Sequence, residues 1–297
     1  MLTLELIGYS CGTGAPDRRC STGPEVMKAH GLAQHLASPQ VGADWQPFYH
    51  STLPDSRPAP EIIADYTAHL SQQVQQAIAR QALPFTIGGD HTMAIGSWSG
   101  IADAHQLHGQ LGLIWIDAHM DAHSVTSSHS GAYHGMPLNY LLGYGKDAIS
   151  AVTGSTPVLN PKHVVLVGIR SFEAEEHAIL KASGVTVFFM DDIQKRGFAA
   201  VMAEALAIAT TGTGGFGISL DLDVFDPSVA PGTGSLAKTG LFPDETLPVL
   251  QGIGYHGKLK GFEIAEFNPA LDRHHMTAQL VMDIAGRVFT LPPHSLL

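Results

Sequence analysis

The chain has 297 residues, with 16 Lys and Arg against 27 Asp and Glu, 17 His, and a formal net charge of -11. With 44% hydrophobic and 14% charged residues it can bury a sizeable core, which excludes a disordered chain or a disulfide-stapled mini-domain. The acidic balance argues against non-specific binding to nucleic acid or anionic membranes, and fits a small cationic substrate.

The chain opens with Met1–Gly8, which has neither a basic region nor the long apolar stretch of a secretory signal. Two cysteines, Cys11 and Cys20, are too few for a disulfide framework and fit the cytoplasm. Short apolar runs then recur at Leu2–Ile7, Pro84–Ile87, Leu111–Ile116, His163–Ile169, Val185–Met190, Phe216–Leu222 and Gly261–Phe267. Between them the apolar spacing predicts helices over Glu61–Arg80, Phe198–Ala209, Pro243–Tyr255 and Met276–Val288. Buried strands alternating with amphipathic helices predict βαβ units and a mainly parallel sheet. No repeat or low-complexity linker divides the chain, so one three-layer α/β domain over residues 1–297 is expected. No apolar run approaches the ~20 residues needed to span a bilayer.

The residues that follow the strands carry the chemistry. Gly88-Gly89-Asp90-His91, Asp117-Ala118-His119-Met120-Asp121, Asp221-Leu222-Asp223 and Ala265-Glu266-Phe267-Asn268 each follow an apolar run. Open parallel sheets bind ligands outside the carboxyl ends of their strands. In extended chain, residues two apart point the same way, so Asp117, His119 and Asp121 are expected to converge, and likewise Asp221 and Asp223. With His91 these make two histidines and four aspartates, too many for one tetrahedral zinc with an open position. They suit two divalent cations bridged by carboxylates, ~3.5–4 Å apart. Mixed carboxylate and imidazole ligation favours Mn²⁺, with Co²⁺, Ni²⁺ or Fe²⁺ also able to bind.

The motifs Gly88–His91, Asp117–Asp121 and Ser219–Pro227 resemble, in order, the three signatures of the ureohydrolases, the family of arginases and agmatinases. The resemblance implies an α/β/α sandwich around a parallel sheet of about eight strands. It implies one manganese on His91, Asp117, Asp121 and Asp221, and a second on Asp117, His119, Asp221 and Asp223. It also implies a catalytic set: Asp121 takes the proton of the attacking water, Glu266 pairs with the guanidinium, and His134 returns a proton to the leaving amine. Urea and an amine are the products, and a homo-oligomer, trimer or hexamer, is the implied assembly.

Within the family, Ser130–Gly143 resembles the arginase segment, commonly Ser-Gly-Asn-x-His-Gly-x-Pro, so L-arginine is the expected substrate. His123 and Ala132 stand where arginases usually carry the two asparagines that bind the α-carboxylate. Ser130 is retained, Glu173 corresponds to the acid that meets the α-amino group, and Glu176 to a second acid acting through water. Ser235 completes the expected substrate contacts. The two exchanged positions leave a second expectation, another guanidino compound such as agmatine, guanidinobutyrate or guanidinopropionate. Asp226 is expected to be structural, and the two cysteines to be inert thiols.

Overall fold

The computed structural model describes residues 1–291. Among these residues eight strands form a single sheet: β1 Leu2–Tyr9, β2 Val41–Trp45, β3 Leu83–Gly88, β4 Leu111–Ile116, β5 Leu159–Ile169, β6 Thr186–Phe189, β7 Gly215–Asp221 and β8 Leu259–Ala265. Their order is β2-β1-β3-β8-β7-β4-β5-β6, and every neighbouring pair is parallel. This is the three-layer sandwich expected from the sequence.

The sheet separates two cores because successive side chains leave its opposite faces. Along β4, Ile114 and Ile116 enter one core and Leu113 and Trp115 the other. The helices Phe198–Thr210 and Met276–Val288 cover the first face with Val201, Met202, Leu280 and Ile284. The helices Ala59–Ala79 and Met93–His105 cover the second with Leu70, Val74, Trp98 and Ile101. Each large side chain so buried contributes ~1.5–3 kcal/mol, offset by chain entropy. Among the described residues, no helix is long and apolar enough to cross a membrane.

The fold adds helices the sequence reading did not name, among them Met93–His105 and Ala174–Ser183, and departs from the predicted elements in three further ways. Edge strand β2 was not expected; its Val-Gly-Ala-Asp-Trp stretch is half-buried and lacks a continuous apolar run. The helix predicted over Pro243–Tyr255 stops at Leu250. Gln251 leaves helical geometry and Gly252 takes a left-handed φ of 75°, after which Ile253–Tyr255 forms a separate 3-10 turn. The third concerns the metal motifs. β4 ends at Ile116, Asp121 has a left-handed φ of 48°, and Asp223 sits in the 3-10 turn Leu222–Val224. Turns, not the pleat of an extended strand, bring these acids together.

Candidate metal centre and pocket

The four central neighbours β3, β8, β7 and β4 end at one edge and deliver His91, Glu266, Asp221 and Asp117. The turn after β3 needs its glycines: a Cβ on Gly89 would collide with the Cys11 carbonyl. His91 and Asp117 are fully buried, and Asp121, Asp221 and Asp223 are nearly so.

His91 Nδ1 lies 3.3, 3.1 and 3.0 Å from carboxylate oxygens of Asp117, Asp121 and Asp221. His119 Nδ1 lies 2.9 Å from Asp223 Oδ2 and 3.6 Å from Asp117 Oδ1. Two ligand groups result, His91/Asp117/Asp121/Asp221 and Asp117/His119/Asp223, and Asp117 belongs to both. Asp221 turns its other oxygen to the Asp223 N–H, 2.8 Å away. Asp117 is itself held by the Trp115 Nε1–H at 2.8 Å and the His119 N–H at 2.6 Å.

Burial, and then the charge of neighbouring aspartates, pushes Asp221 well up and Asp121 up to about 6. Burial likewise raises Asp223, and its pair with His119 only partly offsets this. Burial works against charge on His91 and His119 too, yet the surrounding carboxylates raise both. So much buried negative charge requires a positive counterpart. His91 Nδ1, buried and without a hydrogen-bond partner among the described residues, marks where a cation fits.

Beside this centre, His134 Nδ1 lies 3.0 Å from Glu266 Oε1, which also accepts the His91 N–H at 2.8 Å. Glu266 follows β8 with a left-handed φ of 66°. Burial opposes both charges, but each group holds the other in its ionised form: His134 is pushed up to about 9, and Glu266 is lowered. The segments meet through the backbone, with Leu138 N–H donating to the Asp121 carbonyl and His123 N–H to that of Gly135.

A cavity of about 270 Å³ opens over the centre, lined by Asp121, His123, His129, Ser130, His134, Glu173, Glu176 and Ser235. At its mouth His123 Nε2 is 2.8 Å from Glu173 Oε2 and 3.3 Å from Glu176 Oε2. Glu173 and Glu176 form the capping box of the helix Ala174–Ser183. Glu176 also accepts the Ala122 N–H at 3.2 Å, and burial pushes it up to about 8.

Every candidate residue named from the sequence thus falls at the centre, beside it or in the cavity over it. Asp226 binds the Ser228 N–H and O–H and the Gly240 N–H, a loop-holding role as expected. Cys11 and Cys20 are buried and unpaired; burial pushes Cys11 up to about 12 and Cys20 further. Sequence reasoning missed Ser219, Glu263 and Trp115. The acid inside the apolar run Gly261–Phe267 was the available signal for Glu263.

Fold and site together define an α/β protein with a buried His/Asp cluster that could hold metal at the carboxyl edge of a parallel sheet. The sequence matches the model of the arginase family over residues 3–290. The arginase of Bacillus caldovelox is 30% identical, over 97% of this chain and 98% of that protein. Human arginase-1 is 32% identical, over 91% of this chain and 86% of its own length. The crystal structure of Bacillus subtilis arginase superposes with a TM-score of 0.89 at 29% identity, covering 99% of this chain and all of that one. The chain belongs to the arginase family, and is a hydrolase of amidine carbon–nitrogen bonds.

Proposed function

We propose that the chain is an arginase, hydrolysing L-arginine to L-ornithine and urea. The observation that carries this reading is the cavity, whose mouth offers both acids and hydrogen-bond donors above the His/Asp centre. His91, Asp117, Asp121 and Asp221 would hold one Mn²⁺, and Asp117, His119, Asp221 and Asp223 the other, with Co²⁺, Ni²⁺ or Fe²⁺ as alternatives. Cations so held lower the pKa of water toward neutrality, which is the chemistry they would supply.

The chain's own groups do the rest. Asp121 accepts the proton of the attacking water. Glu266, kept charged by His134, receives two parallel N–H bonds from the planar guanidinium. His134 keeps its proton at neutral pH and gives it to the departing amine nitrogen as the carbon–nitrogen bond breaks. At the mouth, Glu173 and Glu176 take the α-ammonium, His123 and Ser130 donate to the α-carboxylate, and Ser235 lines the wall. This reading goes with one domain over residues 1–297, a homo-oligomer (trimer or hexamer) and the cytoplasm, with no nucleic-acid or membrane partner.

A second reading, a guanidino substrate without a carboxylate or without an α-amino group, is favoured by one observation. Ala132 offers no side-chain donor, and the His123 donor is engaged by Glu173. Urea release by manganese-loaded protein decides between them, with arginine, agmatine, guanidinobutyrate and guanidinopropionate offered side by side. The highest kcat/KM is expected on arginine; a higher value on any other compound overturns the arginase reading.

A further inference from the structure

His91 is the end of a buried hydrogen-bond chain that the reaction does not use. Its Nε2 lies 2.8 Å from Ser219 Oγ. Ser219 Oγ–H donates to Glu263 Oε1 at 2.7 Å, and the Trp98 Nε1–H donates to the same oxygen at 2.7 Å. All four residues are fully buried. Ser219 on β7 and Glu263 on β8 are direct partners in the parallel register, so the sheet itself sets their contact. Trp98 arrives from the helix Met93–His105, and its ring passes over Gly217 of β7, where a Cβ would collide with it.

The chain has a direction. An indole N–H can only donate, so Glu263 Oε1 serves as an acceptor. Among the described residues Glu263 Oε2 has no partner, which leaves Oε1 to receive both donors. Ser219 has one hydroxyl proton, and Glu263 takes it. Toward His91, Ser219 Oγ can then only accept. The proton of neutral His91 therefore resides on Nε2, and the Nδ1 lone pair faces the oxygens of Asp117, Asp121 and Asp221.

We infer that Trp98, Glu263 and Ser219 form a positioning relay, which fixes the tautomer and orientation of His91 so that Nδ1 is presented as a ligand. The inference rests on the reading of the His/Asp centre as a metal site. Groups of this kind typically govern metal affinity by 10–100-fold. What the relay needs at residue 263 is an acceptor oxygen rather than a charge.

The test is titration of metal-free protein with Mn²⁺ by calorimetry, with the metal retained after dialysis counted per chain. Ser219→Ala should weaken one cation 10–100-fold, and Ser219→Thr, which keeps the hydroxyl, should restore it. Glu263→Gln should bind like the parent, whereas Glu263→Leu should lose as much as Ser219→Ala. Melting of the metal-free variants separates packing from positioning: a lower Tm in Ser219→Ala with unchanged Mn²⁺ affinity overturns the relay. Equal losses in Glu263→Gln and Glu263→Leu overturn it too. Parent protein that takes up no divalent cation would instead overturn the metal-centre reading beneath it.

Discussion

At the scale of single residues, His134 and Glu266 show how two buried charges sustain each other. His134 sits 3.0 Å from Glu266 and is pushed up to about 9. Replacing His134 with Ala removes a positioned acid, so kcat for urea release should drop ~10²–10⁴-fold. The pair also links stability to pH. A raised imidazole contributes stability in full below its ordinary value of 6.5 and loses it as pH rises through about 9. Over that window the Tm of the parent should therefore fall more steeply than that of His134→Ala; parallel curves would sink the assignment. The residues of this pair were legible because each falls in a motif. The left-handed φ of Asp121 and Glu266 was not, since non-glycine residues adopt it only where surrounding structure imposes it.

At the scale of elements, β7, β8 and the helix Met93–His105 are locked by one exchange of volume: Gly217 gives up a side chain where Trp98 needs room. Gly217→Ala overpacks this contact and should cost ~1–3 kcal/mol. Thermal melting checks this, and Trp98→Leu in the same chain should recover part of the loss, because neighbouring sites couple. Central strands were readable from sequence because burial on both faces demands continuous apolar runs, as in Leu111–Ile116. Edge strand β2 escaped because its exposed side tolerates Gly42 and Asp44. Ser219 and Glu263 escaped for another reason. Their importance lies in a cross-strand register, which no single segment reveals.

At the scale of the whole molecule, the sheet gathers four central strand ends at one edge, and with them four buried aspartates against two histidines, an excess of acid that bound cations would neutralise. Like charges this close repel, so metal removal should loosen the entire fold rather than one loop. Cations at 100 times their Kd add about 2.7 kcal/mol. At ~2 °C per kcal/mol for a chain this long, chelation should lower Tm by ~5 °C or more; an unmoved transition would count against the centre. The tryptophans give this edge of the sheet a reporter of its own. Trp115 stacks on His91 with ring centroids 4.1 Å apart, and Trp98 closes the hydrogen-bond chain behind it, whereas Trp45 lies on the edge strand. Trp115 thus touches two of the groups that would hold a cation, His91 and Asp117, and Trp98 is linked to His91 through Glu263 and Ser219. Intrinsic fluorescence should follow loading in real time, without label or substrate, and a Trp45→Phe chain should keep nearly all of the signal.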